Sequence, residues 1–363
     1  LQLFFQEAEN NTMSKLFITG GSGYVGAMLI QQFVERPDVS AIFTVDKELA
    51  SELYAGNKKV TFIQSNLADT ENWLAQAKAF APDVVVHTAW QIREMYGQKD
   101  TQWKWNIDGS DAVFDFAFGT PSVKKLIHFS TVASYGAYPT NTIDHYFKEA
   151  EGFRKTDYLY AEEKRITEEH LEAKYSEAKK AGKIPQVFIV RPAAITGPRG
   201  RYMRIRFGLQ AALSGQLREN FIHRVISAMV SFVPVTSKWL RQFIHEDDVT
   251  DIVALLALTP VKGEYEAFNI CPPGAPVLGP DMAQAVNKKA IRVSPYLIRP
   301  VFFIMWHISR GKVPTSKGGW KSYSYPIAVD GSKLTQMYGY KYKFEPKDAF
   351  VKKEGRYAKY IKN

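Results

Sequence analysis

Tyr160 and Lys164 stand four residues apart in Tyr160-Ala161-Glu162-Glu163-Lys164, which puts a phenol and an ammonium on one face of a helix. A positive charge beside a phenol favours the phenolate. A group whose reference pKa is about 10 can then act as a base near neutrality. The spacing alone is common, since Tyr54/Lys58 and Tyr175/Lys179 share it. Context separates the three. Tyr54 follows a short β-rich run at once, and Tyr175 sits in the distal part of a charged helix. Only Tyr160 begins a helix soon after a hydroxyl-bearing strand end, His128-Phe129-Ser130-Thr131.

The elements that would position such a pair start near the N-terminus. The apolar run Leu16-Phe17-Ile18 leads into Thr19-Gly20-Gly21-Ser22-Gly23-Tyr24-Val25-Gly26, and the helix-like Ala27-Met28-Leu29-Ile30-Gln31-Gln32-Phe33 follows. That order brings backbone N–H groups and a helix N-terminus up to a pyrophosphate. An ordinary strand-to-helix turn can carry the same glycines, so the next acid matters. Asp46 closes the following apolar run, Ala41-Ile42-Phe43-Thr44-Val45. An acid about 20 residues past the glycines can hold the adenosine ribose diol of a dinucleotide. It repels a ribose phosphate, which favours NAD over NADP, and the neighbouring Lys47 moderates that preference. A positively charged nicotinamide would favour the Tyr160 phenolate further.

The chain has 363 residues, enough for one large α/β domain and a smaller one. Its 45% hydrophobic and 23% charged residues suggest neither disorder nor repeats. Cys271 is the single cysteine, which excludes an intrachain disulfide and a cysteine-built metal site, and the seven histidines show no pair at metal-ligand spacing. No apolar run reaches about 20 residues, so no bilayer span is expected. Residues 1–12 carry acids and amides without a basic start; they do not read as a signal peptide, and a disordered extension ahead of Met13 is expected. A cytoplasmic location follows as an expectation. Much of the net charge of +10 falls in 199–206 and in the C-terminal Lys and Arg residues, with no recognised nucleic-acid motif. An anionic small-molecule substrate or simple solvation is expected instead of DNA or RNA.

Up to about residue 195 short β-rich runs alternate with helical stretches, the pattern of a doubly wound parallel α/β sheet. Strands are expected at 16–19, 41–45, 61–64, 84–87, 125–130 and 186–191, and helices at 73–80, 108–118 and 161–181. The alternation stops after Gly197-Pro198. We expect a nucleotide-binding domain over 13–197 with returns from about 241–270, and a discontinuous substrate lobe from 198–240 and 271–363. The substrate would sit between them, outside the carboxyl ends of the strands.

The order of these motifs resembles the extended short-chain dehydrogenase/reductase family, which contains nucleotide-sugar epimerases and dehydratases. The resemblance runs from Lys15 to about Asn269. It rests on the glycine loop, on Ser130-Thr131 followed by Tyr135-Gly136, on Tyr160 and Lys164 with Glu168 after them, and on Arg191-Pro192 with Gly197-Pro198-Arg199. Arg241-Gln242-Phe243-Ile244-His245-Glu246-Asp247-Asp248-Val249 and Phe268-Asn269-Ile270 complete the series. The resemblance implies an NAD-dependent homodimer joined through two outer helices. It implies that Tyr160 is the acid/base, that Lys164 binds the nicotinamide ribose and tunes Tyr160, and that Thr131 hydrogen-bonds the reacting oxygen. It assigns the pyrophosphate to the backbone of Gly20, Gly23, Tyr24, Val25 and Gly26, the adenosine ribose to Asp46, and the adenine to Asn66 and Leu67. His87 and Ala89 match the strand passing under the cofactor, and Asn106 matches an asparagine that holds an active-site water network.

Dehydratases and decarboxylases of that family carry a carboxylate one or two positions after the catalytic hydroxyl residue, where this chain has Val132 and Ala133. Elimination therefore lacks its usual acid/base. What remains is oxidation of a secondary alcohol, which gives an epimerase if the keto intermediate turns over and is reduced again, or a dehydrogenase or reductase if it leaves. Arg241 matches an arginine that contacts a nucleotide-sugar diphosphate, and Arg199, Arg201, Arg204 and Arg206 add charge nearby. Ala194 stands where the family has an asparagine near that diphosphate, and Trp90 where it has a small residue. The leading expectation is an epimerase of a nucleotide-linked sugar resembling UDP-glucose 4-epimerase. The alternatives are an enzyme of an apolar hydroxy compound of sterol or polyprenyl type, and a non-catalytic NAD sensor. The basic-flanked aromatic segment 296–310 reads as a buried helix or lid in preference to a membrane-surface element.

Overall fold

Leu16, Phe17 and Ile18 are fully buried in strand β1 (Ser14–Thr19), and their alternation divides them between two layers of core. Leu16 and Ile18 pack with Ala27, Leu29 and Phe33 of helix α1 (Tyr24–Val34) on one face of the sheet. Phe17 packs with Phe43 and Trp73 on the other. Both faces are covered, so the strands read as continuous apolar runs. The structure is a computed structural model describing residues 13–182, 184–199, 232–285, 287–352 and 354–360.

Six further strands follow: β2 (Val39–Asp46), β3 (Val60–Gln64), β4 (Val84–His87), β5 (Lys125–Phe129), β6 (Gln186–Pro192) and β7 (Tyr265–Ile270). They form one seven-stranded sheet in the order β7-β6-β5-β4-β1-β2-β3, parallel throughout. The expected strands all appear within two residues of their expected ends, and the doubly wound α/β reading holds. One layer carries α1 and α6 (Glu246–Leu258). The other carries α2 (Leu74–Phe80), α4 (Gly109–Gly119) and the 23-residue α5 (Leu159–Ala181). Between α3 (Lys99–Trp103) and α4 the chain makes a π-helical turn over Lys104–Asp108. Such turns mark functional positions, and this one contains Asn106.

The residues after β6 build a third cluster from Val233, Trp239, Phe243, Val277, Ile298, Phe302 and Tyr323. Its helices are α7 (Gly279–Ala285), α8 (Pro295–Ile308) and α9 (Gly319–Ser324). Helix α8 starts where Ser294 accepts from the Tyr296 N–H at 3.3 Å and Pro295 supplies a preset φ. It buries only Ile298, Phe302 and Trp306. Tyr296, Leu297, Phe303, Ile304 and Ile308 are exposed. Residues 296–310 are thus not a fully buried helix: α8 is largely apolar, Ile298, Phe302 and Trp306 face inward with Phe302 lining the cavity, and Tyr96 bonds His307 at 3.1 Å. Residues 1–12 and Arg201, Arg204 and Arg206 lie outside the described residues.

Candidate active site

The strand order reverses between β1 and β4, and there, beyond their carboxyl ends, lies a cavity of about 840 Å³. Ligands of open α/β sheets bind at such a switch point. Gly20, Gly23, Tyr24, Val25, Gly26, Asp46, Asn66, Leu67, Ala89, Trp90, Asn106, Thr131, Tyr160 and Arg241 all line it. Lys164, His87 and Arg199 do not.

At one end the glycine loop is packed to the limit of its backbone. Gly20 has φ +73°, and a Cβ there would lie 2.6 Å from the Ala89 backbone; a Cβ on Gly26 would lie 2.1 Å from the Gly20 carbonyl oxygen. Only glycine fits either position. Gly23 caps α1 without any side-chain bond, which leaves the first-turn amides of the helix open for an anion. The Asp46 carboxylate is oriented by the N–H groups of Ser22 and Glu48, both at 2.9 Å. A closely approachable loop, an uncapped helix start and an oriented acid are the parts a dinucleotide diphosphate and ribose diol require, so these residues fit NAD.

In the middle of the cavity the Tyr160 phenol and Thr131 line the wall together. Burial pushes the phenol above its ordinary pKa, and the neighbouring Thr131 hydroxyl opposes that. The lowering by Lys164 that the spacing suggests is not seen, because the ammonium is directed elsewhere. Lys164 Nζ donates to the Phe129 carbonyl and lies 3.5 Å from the centre of the Trp90 ring, a cation–π contact. Burial pushes this ammonium well below its usual range, with Glu168 and Glu163 opposing. The Trp90 Nε1 is buried without a partner.

Asn106 is a clamp in this structure. Its Oδ1 accepts from the Gln91 N–H at 2.8 Å, and its Nδ2 donates to the Gln91 carbonyl at 3.0 Å and to Glu163 at 2.7 Å. It ties the segment after β4 to α5. His87 is held under the cavity floor, with its ring nitrogens on Thr19 (2.7 Å) and Ser110 (2.8 Å), and burial lowers its pKa to about 3. Arg199 lies beside Tyr24, 6.0 Å from its ring.

At the far end the Arg241 guanidinium donates to the carbonyls of Leu240 and Ser322. No described carboxylate pairs with it. Burial lowers its pKa to about 10, with Tyr323 and Tyr158 opposing. Tyr158, Gln242, Phe302, Ser322 and Tyr323 also line this end, and the sequence reading missed them. Tyr158 offered one signal, an aromatic residue two positions before Tyr160, and Gln242 another, its place beside Arg241 in the same motif; Phe302, Ser322 and Tyr323 arrive from distant segments with no motif of their own. Among the described residues no cluster of His, Cys, Asp and Glu is arranged to hold a metal ion.

The NAD dependent epimerase/dehydratase family matches residues 16–271. The chain belongs to that family. Its members are enzymes, and they depend on NAD. A curated relative of the family member, the uncharacterized protein y4nG of Sinorhizobium fredii, is 26% identical over 289 residues. That stretch covers 75% of this chain, and the chain spans about 60% of the relative's length. Among solved structures, the Bordetella bronchiseptica enzyme WbmG in complex with NAD is similar with a TM-score of 0.66 and 20% identity, covering 97% of this chain and 96% of that one. UDP-glucose 4-epimerase of Thermotoga maritima with UDP-glucose gives 0.65 and 18%, over 93% and 96%. The dTDP-glucose 4,6-dehydratase of Bacillus anthracis with NAD gives 0.65 and 13%, over 94% and 95%. At these identities the structural likeness establishes the fold.

Proposed function

We propose that this family member is an NAD-dependent epimerase acting on a secondary alcohol of a nucleotide-linked sugar. The observation that carries the reading is the half-buried Arg241 guanidinium, which among the described residues meets two carbonyls and the Trp239 ring but no carboxylate, and shares one cavity with Tyr160 and Thr131. A desolvated cation without a carboxylate is costly, and a substrate diphosphate would complete it with charge-assisted hydrogen bonds. WbmG crystallised with NAD and UDP, and the Thermotoga maritima epimerase with UDP-glucose, lend support to a uridine nucleotide.

NAD, when bound, supplies a hydride acceptor and donor. The glycine loop and α1 amides would hold its diphosphate, Asp46 its adenosine ribose, and Asn66 and Leu67 its adenine. Tyr160 would take the proton of the substrate hydroxyl as the carbon is oxidised and return it on reduction, with Thr131 fixing the oxygen. Lys164 would assist once the Trp90 ring turns off its ammonium. Among the described residues the only carboxylates lining the cavity are Asp46 and Glu48, at the adenosine end, and Val132 and Ala133 line the wall beside Thr131. No described carboxylate stands beside Thr131 to move a proton at a neighbouring carbon, which favours epimerisation over elimination. The domain division at residue 197 and a homodimer through α4 and α5 remain part of this proposal.

Two measurements test it together: the nucleotide released on denaturing protein purified without added cofactor, and turnover of a UDP-hexose panel. Near-stoichiometric NAD and inversion of one sugar carbon are expected, with turnover lost in Tyr160→Phe. The aromatic lining from Trp90, Tyr158, Phe302 and Tyr323 favours a second reading, an apolar hydroxy substrate. Oxidation of such an alcohol with no turnover of any UDP-hexose would replace the first.

A further inference from the structure

Helix α8 turns an apolar surface outward. Tyr296 is 75% exposed, Leu297 63%, Phe303 65%, Ile304 51% and Ile308 76%. At 100° per residue these positions, with Pro300 and Val301, span an arc of about 160° that holds no Asp, Glu, Lys or Arg; its one titratable side chain, His307, meets the Tyr96 hydroxyl at 3.1 Å. A helix that is hydrophobic all round is ordinarily enclosed, and exposed contiguous apolar patches mark interaction sites.

The charges around the patch say what it meets. From Met282 to Val329, 48 residues, the chain has eight Lys and Arg and no Asp or Glu. Arg292 precedes the helix, Arg299 lies on its flank, and Arg310 and Lys312 follow it; all four are exposed, and none is ion-paired with a described acid. An apolar helical face framed by unpaired cations complements a surface with a hydrocarbon interior and anionic headgroups. The 14-residue helix is about 21 Å long, short of the roughly 30 Å hydrocarbon core, so it is suited to lie in the interface. No described helix is long and apolar enough to cross a membrane.

We infer that α8 docks the protein onto an anionic lipid surface, with Leu297, Phe303, Ile304 and Ile308 entering the headgroup layer and Arg292, Arg299, Arg310 and Lys312 contacting the lipid phosphates. The inner side of the same helix presents Phe302 to the active-site cavity, where it packs on Tyr323 at 5.6 Å between ring centres. Docking therefore brings the membrane within one helix diameter, about 10 Å, of the cavity wall. This inference stands independently of the proposed reaction.

The test is cosedimentation of the full chain with vesicles of phosphatidylcholine alone and of an equimolar phosphatidylcholine and phosphatidylglycerol mixture, at low and high salt. Binding to the mixed vesicles is expected, weaker with phosphatidylcholine alone and weaker at high salt. Leu297→Asp with Ile304→Asp is expected to lower the partition coefficient at least about tenfold. Arg310→Glu with Lys312→Glu, two exposed residues whose replacement leaves the fold intact, is expected to lower it roughly fivefold per charge removed. Absence of binding to the mixed vesicles, or binding by both variants equal to that of the unaltered protein, overturns the inference. So does a dimer in sedimentation equilibrium that Leu297→Asp with Ile304→Asp dissociates while no vesicles bind, since a second copy would then cover the face.

Discussion

Arg191, buried, and Arg241, half-buried, make opposite predictions. Arg191 forms a bidentate pair with Glu168, Nη2 at 2.6 Å and Nε at 3.0 Å, and also bonds the Tyr135 hydroxyl at 3.0 Å. Arg191→Met leaves Glu168 charged, buried and unpaired, and should destabilise the fold by about 3–5 kcal/mol. Among the described residues Arg241 has no such partner. Burial drops its pKa from 12.5 to about 10, and at about 1.4 kcal/mol per tenfold this is a cost of about 3 kcal/mol for keeping the charge. The charged form is the protonated one and its folded value is the lower, so that cost is present at every pH below about 10 and disappears above about 12. Arg241→Met removes it and loses two hydrogen bonds to carbonyls, about 1 kcal/mol each. The net change should lie within about 1 kcal/mol of zero, on the stabilising side. Affinity for a UDP-sugar should instead fall about 100-fold, the loss of two charge-assisted bonds to phosphate. Urea unfolding of both variants and calorimetric titration with UDP-glucose and UDP measure the two quantities. If Arg241→Met is as destabilised as Arg191→Met and still binds the nucleotide normally, the assignment of Arg241 to a substrate anion is wrong.

Further outcomes follow from the same geometry. Asp46→Ser removes the acid oriented by Ser22 and Glu48 and should let NADP bind within about tenfold of NAD, as measured by competitive titration; unchanged discrimination would move the ribose site elsewhere. Trp90→Ala uncovers the Lys164 ammonium and should tighten NAD binding about fivefold, the worth of the cation–π contact that would otherwise be broken; weaker binding would make Trp90 a cofactor contact. His87 and His128 are buried, and both folded pKa values lie below 6.5, that of His87 at about 3. Their neutral forms therefore stabilise the fold fully above about pH 6.5, and that stability declines as pH falls toward the folded values, by about 2 kcal/mol for His87 at about pH 5. Neither ring nitrogen of His128 has a partner, so His128→Phe should keep the stacking on His87 and flatten the acid limb of urea midpoint against pH; an unchanged limb would show that these rings do not govern it.

The central sheet was legible because each strand is a local apolar run bounded by turns, and burial on both faces makes a run such as Leu16-Phe17-Ile18 self-announcing. The same locality exposed Gly20, Gly26, Asp46, Thr131 and Tyr160, each of which sits at a strand end or helix start. The other wall of the cavity was not legible. Phe302 and Tyr323 are members of the third cluster and meet Arg241 from segments about 60 to 80 residues away, and no periodicity encodes that meeting. The fate of Lys164 depends on a residue 74 positions earlier, Trp90, which no spacing rule connects to it. For α8, hydrophobicity on all sides gave no clue to which side would be left open.

The central claim is that Tyr160 moves the proton of a sugar hydroxyl while NAD is recycled within one active site. The most direct measurement is to incubate the protein with a UDP-hexose panel, alone and as Tyr160→Phe, and to follow sugar configuration by nuclear magnetic resonance and reduced cofactor by absorbance in the same sample. The account predicts a new epimer from one UDP-hexose without accumulation of reduced cofactor, and loss of turnover by at least about 100-fold in Tyr160→Phe. Epimer formation at an undiminished rate in Tyr160→Phe, or release of one reduced cofactor for each sugar consumed, would contradict it.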